Sequence, residues 1–360
     1  MATMSASLPP APANSFASDN AAGACPEVVE ALARANSGPA LAYGDDPWTR
    51  RAEAELRARF DAPVEPLFCW GGTGANIVGL ATLVQPWQAV LTVDTAHIVV
   101  DEAGGPARFT GATITPIPHD DGKLRPEALA PYLEWAGVEH HPQPRLVLVS
   151  QVTEMGTVYT RDELAALAEL CHRNDLLLYV DGARIANALV SLDTTLPELI
   201  RDTGVDAMTF GMTKNGAVFG EVVVFLRPEL AGHARFVRKQ AGQLVSKSRF
   251  VAAQLSALLE EDRWLANAAR ANELASLLAG SLGDVAGVEV PRPPDANAVF
   301  ASIPWDRLDE LTAWSFFWPW DPARSLVRWM TGWATTPADV ATFVAGLRTL
   351  LGTRTPSGEN

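Results

Sequence analysis

The segments Leu176-Leu177-Leu178-Tyr179-Val180-Asp181-Gly182-Ala183-Arg184 and Ala207-Met208-Thr209-Phe210-Gly211-Met212-Thr213-Lys214-Asn215-Gly216 share one pattern, an apolar run that stops on small and polar residues. Neither run alternates polar with apolar, which is how a strand buried on both faces reads. The first ends on a carboxylate, Asp181, and the second delivers an amine, Lys214, just past its end. Between them, Leu196 to Asp202 has Glu198 early and Arg201 late and fits one short helix. An acid at one strand tip and a lysine beyond the next meet the two needs of pyridoxal 5'-phosphate (PLP). The amine forms the Schiff base, and the carboxylate keeps the pyridinium nitrogen protonated so that the ring accepts electrons. Taken singly, each residue has a plainer reading. Asp181 fits a helix N-cap with Arg184 as its ion partner, and Lys214 fits an exposed lysine in a polar turn.

Similar unalternated runs lie at Leu67 to Trp70, Ala89 to Val93, Thr113 to Ile117, Leu146 to Val149 and Val222 to Leu226, with helical segments among them. Together they predict an α/β class fold: a large three-layer α/β/α domain with a mostly parallel seven-stranded sheet. Thr160-Arg161-Asp162-Glu163 is a capping box that opens a helix ending near Asn174. Val28, Val29, Leu32 and Ala35 mark a helix capped near Gly38, and Thr49 to Phe60 is amphipathic, with Ala52, Leu56 and Phe60 on one face. Beyond Phe250 a helical pattern runs on to about Leu282. It is followed by a strand at Ala298 to Ile303, a helix at Arg307 to Trp314, an apolar run Leu326 to Met330, and a last helix opened by Thr336-Pro337-Ala338-Asp339. The expected division is a disordered tail over 1–14, a large PLP-binding domain with its N-terminal segment over 15–255, and a smaller α+β C-terminal domain over 256–360.

With 360 residues, 48% hydrophobic and 19% charged, the chain has the composition of a soluble globular protein. A formal net charge of -14 sets its field against nucleic acid and anionic membranes, which leaves a small molecule as the expected partner. The cysteines Cys25, Cys69 and Cys171 are odd in number and widely spaced, so neither a disulfide framework nor a metal site is expected. Met1 to Asn14 lacks a basic start and an apolar core, which argues against a signal peptide and for a cytoplasmic protein.

Gly71-Gly72-Thr73-Gly74-Ala75-Asn76 follows a strand and opens a helix, where bare amides and the helix N-terminus suit a phosphate. In an open α/β sheet the loops after strand C-termini converge on one crevice, which links this turn to Asp181 and Lys214. With Ser18-Asp19, Tyr43-Gly44-Asp45-Asp46-Pro47, Ala96-His97, Glu102-Ala103-Gly104-Gly105, Thr213-Lys214-Asn215-Gly216 and Val327-Arg328 added in order, the chain resembles the low-specificity threonine aldolases of the fold-type I PLP enzymes, particularly their phenylserine aldolase-like branch. The resemblance covers nearly everything from Ser15 to Leu351. It implies reversible cleavage of β-hydroxy-α-amino acids to glycine and an aldehyde, in a homodimer-based tetramer.

By the same resemblance, Lys214 is the Schiff-base lysine and Asp181 the pyridinium partner. Gly72 and Thr73 form the phosphate turn, and His97 stacks on the cofactor ring. Ser18, Arg184 and Arg328 hold the substrate carboxylate, Arg184 also lying among the cofactor-binding positions. Paired guanidinium contacts suit a planar carboxylate. Two features depart from the pattern. Glu154, in Val152-Thr153-Glu154-Met155-Gly156, stands where many threonine aldolases have a histidine near the substrate β-hydroxyl. It fits either a base for that hydroxyl or a residue that orients His97 or caps the turn. The segment Trp314 to Trp333 is dense in aromatics, including Phe316, Phe317, Trp318, Trp320 and Trp329, which suits core, subunit interface or an aromatic pocket. A β-eliminating lyase, racemase or transaminase would use the same lysine and aspartate, and a non-catalytic binding protein on the same fold is the alternative of a different class.

Overall fold

The computed structural model describes residues 7–354. The tail expected over 1–14 lies outside the described residues at positions 1–6. All seven apolar runs are strands of a single sheet: β1 Glu65–Cys69, β2 Gln88–Val93, β3 Thr113–Ile117, β4 Gln143–Ser150, β5 Leu177–Gly182, β6 Ala207–Gly211 and β7 Glu221–Phe225. Their order is β1-β7-β6-β5-β4-β2-β3. β2, β3, β4, β5 and β6 are joined by parallel ladders, while β7 pairs antiparallel with both β6 and β1. The C-terminal ends of the other six strands and the start of β7 therefore lie along one edge of the sheet. That edge is where loops carry function in open α/β sheets.

Local sequence sets the elements between. The Thr160 side chain accepts from Glu163 N–H and Glu163 reaches back to Thr160 N–H, so the expected capping box starts the helix Arg161–Arg173. Such a cap is worth about 1 kcal/mol. Where one short helix was expected between β5 and β6, the connection holds two, the α-helix Ile185–Leu192 and then a single π-helical turn, Pro197–Arg201. The continuous helix expected from Phe250 to Leu282 is broken. Arg249–Leu259 and Arg263–Gly280 are separated by Glu260–Asp262, where Glu261 and Asp262 both have φ of 53°. Arg263 turns its guanidinium onto the carbonyls of Ala257 and Glu260, satisfying the end of the first helix that the break exposes.

Contacts divide the chain into two compact units, one of them Ala24–Ala266, which contains the sheet. The other joins the residues up to Gly23 with those from Asn267 onward. It holds an antiparallel sheet of β8 Ala298–Ser302, β9 Trp318–Asp321 and β10 Leu326–Met330, in the order β8-β10-β9, and a core centred on Phe16, Phe317, Trp329 and Phe343. Its last helix, Pro337–Leu351, opens on the expected Thr336 cap, which Asp339 completes as a capping box, and Asn14 adds two hydrogen bonds to the Asp339 carboxylate. Cys25, Cys69 and Cys171 are buried free thiols. Among the described residues, no helix is long and apolar enough to cross a membrane.

Candidate active site

β5 places Asp181 at the middle of the functional edge, 6% exposed. Asp181 does not cap the following helix Ile185–Leu192, whose N-cap, Arg184, has no side-chain cap bond. Its Oδ1 accepts from Ala183 N–H at 3.0 Å and its Oδ2 from Asn76 Nδ2 at 2.8 Å. The same Asn76 nitrogen donates to Glu102 Oε1 at 2.9 Å, and Glu102 Oε1 is 2.8 Å from His97 Nδ1. A single amide thus links two buried carboxylates, and the second orients the histidine. Asn76 is itself fixed by Thr209 Oγ1 donating to its Oδ1 at 2.9 Å, with Tyr179 OH 2.7 Å from that hydroxyl. The Glu102 hydrogen bond raises the proton affinity of His97 against the opposing effect of burial.

The segment carrying Glu154 adds a third carboxylate. Glu154 Oε1 accepts from Ser150 Oγ at 2.7 Å and from the backbone N–H of His97 at 2.9 Å, tying the end of β4 to the start of the turn that bears the histidine. Burial pushes its carboxyl above the usual range despite these donors. Oε2 of Glu154 and Oε2 of Glu102 are buried with no hydrogen-bond partner among the described residues. Orphaned acceptors of this kind are costly, and they concentrate where a bound group or a reaction uses them.

Lys214 lies in the 3-10 turn Thr213–Asn215 directly after β6. Gly211, at the end of that strand, has room only for hydrogen, because a Cβ there would run into the backbone of Ala183. The lysine turn and the Asp181–Arg184 turn are thereby brought together. Asn215 anchors the far side by donating to Trp264 O at 2.8 Å, and Gly216 O accepts from Cys25 N–H at 2.9 Å. Gly72 and Thr73 begin the helix Gly72–Leu83 behind β1, with N-cap Gly71 fully extended and no side chain capping the first turn. A Cβ on Gly71 or Gly72 would meet nothing within 4 Å, so there is open space beside this turn.

Three expected residues remain, Arg184, Ser18 and Arg328. Arg184 is partly buried beside Asp181 in sequence, at the start of its helix. Ser18 and Arg328 belong to the smaller unit. Ser18 Oγ accepts from Asn20 N–H at 3.2 Å, and Arg328, on β10, stacks its guanidinium 4.5 Å from the Trp320 ring. The aromatic segment divides: Trp329 and Phe317 are fully buried core, whereas Phe316 and Trp318 are half-exposed and pack edge to face at 4.9 Å. Asn76 and Glu102 stood inside quoted motifs without a role. Nothing local signals that residues so far apart in sequence share one hydrogen-bond chain.

The buried acids, glycine turn and lysine turn at one sheet edge agree with what the comparisons find. The beta-eliminating lyase family matches residues 15–304. The low-specificity L-threonine aldolase of Pseudomonas sp. (strain NCIMB 10558) is 39% identical over 84% of this chain and 88% of its own. That of Pseudomonas aeruginosa is 40% identical over the same shares. A solved Leishmania major threonine aldolase superposes with a TM-score of 0.86 at 30% identity, covering 93% of this chain and 99% of that one. The chain belongs to the beta-eliminating lyase family, PLP-dependent enzymes of fold type I.

Proposed function

We propose that this protein is a PLP-dependent aldehyde-lyase that cleaves β-hydroxy-α-amino acids reversibly to glycine and an aldehyde. The observation that carries the reading is the buried chain Asp181–Asn76–Glu102–His97 beside an uncapped glycine turn, in a chain whose relatives are low-specificity L-threonine aldolases. The residues fit the cofactor. Asp181 is a buried carboxylate at a strand end, suited to a protonated ring nitrogen, and open space surrounds the Cβ positions of Gly71 and Gly72 at the helix start. Bound PLP supplies an electron sink for the carbon that loses the aldehyde.

The protein's own groups do the rest. Lys214 would anchor the cofactor, Gly72 and Thr73 would take its phosphate, and Asp181 would keep its ring nitrogen protonated. His97, set by Glu102, would stack on the cofactor ring. Ser18, Arg184 and Arg328 are assigned to the substrate carboxylate, which orients the Cα–Cβ bond for cleavage. Glu154 takes the β-hydroxyl proton, directly or through water with His97. Its burial makes the carboxylate a stronger base than usual, and its free Oε2 is the accepting atom. That acceptor favours cleavage over β-elimination or racemisation, neither of which removes a hydroxyl proton. Substrates are of the threonine, allo-threonine or phenylserine type.

We place the enzyme in the cytoplasm as a homo-oligomer, a dimer or tetramer. An apolar cavity of about 590 Å³ lined by Leu32, Trp70, Phe219, Val245 and Phe250, with Trp70 itself 46% exposed, supports a second copy covering this face. The functional test is incubation of purified, PLP-loaded protein with a panel of β-hydroxy-α-amino acids. Stoichiometric glycine and aldehyde are expected. Ammonia and a keto acid would replace the reading with β-elimination.

A further inference from the structure

The turn that carries Lys214 is held at its start by a side chain with no part in the scheme above. β7 opens on Glu221, which pairs with Gly211 of β6 on one side and Cys69 of β1 on the other. An acid at the first position of a strand ordinarily points to water, but this one, with a strand on each side, is only 4% exposed. Its two oxygens accept separately, Oε2 from Met212 N–H at 2.6 Å and Oε1 from Thr213 N–H at 3.4 Å. These are the two residues that lead into Lys214. In return, Thr213 Oγ1 donates to Gly220 O at 3.2 Å, so the turn and the strand start hold each other.

Charge links the pair as well as geometry. Burial pushes the Glu221 carboxyl up to about 7, and among the influences pulling it back is the positive charge of Lys214. On the other side β1 presents Cys69, whose thiol burial pushes up to about 12 and so leaves neutral; Arg238 acts on that thiol. A buried acid beside a strand ladder is expensive to keep without a use.

We propose that Glu221 is a positioning residue for Lys214: it fixes the backbone leading into the lysine and supplies the counter-charge in whose field the amine gains and loses its proton. The proposal rests on Lys214 being the amine that the cofactor joins. Coupling between two titrating groups is reciprocal. An ionised Glu221 favours the protonated amine, and removing the acid makes Lys214 more acidic.

The test uses the full chain freed of cofactor. Its lysines are labelled with an amine-reactive reagent from about pH 6 to 11, the range in which a lysine titrates, and each is read by peptide mass spectrometry. In Glu221→Gln the labelling midpoint of Lys214 should fall by about one pH unit, while Lys239 and Lys247 keep their wild-type profiles. Glu221→Asp, which keeps the charge, should restore most of the shift. Lys214→Met supplies the reciprocal arm and decides the question should Glu221→Gln fail to fold. Its cofactor-free thermal stability should show the transition near neutral pH displaced upward. A Lys214 profile in Glu221→Gln that coincides with wild type, or an undisplaced transition in Lys214→Met, overturns the proposal. Recovery of PLP on another lysine would overturn the functional reading instead and leave the labelling result standing.

Discussion

The two ends of the central sheet each bury an acid next to a histidine, and they use them oppositely. At the end away from the candidate site, Asp206 precedes β6 with its side chain fully buried. Its Oδ2 accepts from Leu178 N–H at 2.8 Å and lies 3.0 Å from His172 Nε2, and its Oδ1 accepts from Arg227 Nη1 at 3.1 Å. Both oxygens are satisfied and two potential cations face the charge. At the candidate-site end, Asp181 and Glu102 share one Asn76 nitrogen, and Glu102 and Glu154 each keep a buried oxygen without a partner among the described residues. An acid and a histidine do not by themselves mark a site. What separates the two ends is whether the acid has been satisfied by the fold or left for something else.

Paired substitutions put that contrast at risk. Asp181→Ala should lower cleavage by about three orders of magnitude, since the ring nitrogen loses its counter-charge. Its melting temperature should change little, because relief of repulsion between two carboxylates on a shared amide offsets the loss of the acceptor for the part-buried Ala183 N–H. Asp206→Ala should do the reverse. It leaves Leu178 N–H without its acceptor and costs roughly 2–4 kcal/mol in denaturant unfolding, with kcat of the folded protein changed by less than about twofold. Equal stability losses at both ends would erase the distinction.

The functional end should also show itself in pH. The carboxyl of Glu221 is raised by burial to about 7, that of Glu154 is raised by burial, and His97 is raised by its Glu102 bond. The folded protein therefore holds protons that the unfolded chain releases, so stability falls as pH rises. For Glu221 the loss runs from its ordinary value of 4.5 to about 7, and His97 adds loss as pH climbs from 6.5 through its raised value. Glu221 alone accounts for about 3 kcal/mol between pH 4.5 and 7. Denaturant melts of the cofactor-free protein across this range should show the slope, flattened in Glu221→Gln.

Much of this contrast is hidden in the sequence. The strands of the main sheet were legible because doubly buried strands are unbroken apolar runs, and the caps at Thr160 and Thr336 because their spacing is local. The reversed direction of β7 was not, since a buried strand reads alike in either direction. Nor was β9, whose Trp318-Pro319-Trp320 reads as an aromatic patch; a proline is tolerated there because β9 is an edge strand. Asp181 and Lys214 stood out at strand ends. Asn76, Glu102 and Glu221 gained meaning only from topology, which brings distant positions into one network and turns the acid at the start of β7 inward.

Smaller effects sharpen the roles of single residues. Glu154→Gln should lower phenylserine cleavage by roughly two orders of magnitude while retaining glycine α-proton exchange, which involves no β-hydroxyl. Equal losses in both would reduce Glu154 to its bonds with His97 N–H and Ser150. Arg328→Ala should raise KM by tens-fold, on the order of 2 kcal/mol, with PLP still bound. Unchanged kinetics would remove Arg328 from substrate binding.

The central claim is that the lysine turn after β6 carries the cofactor, and borohydride reduction of the PLP-loaded protein followed by peptide mapping tests it most directly. The pyridoxyl label should be recovered on the peptide containing Lys214. Recovery on Lys123, Lys239 or Lys247 would contradict it.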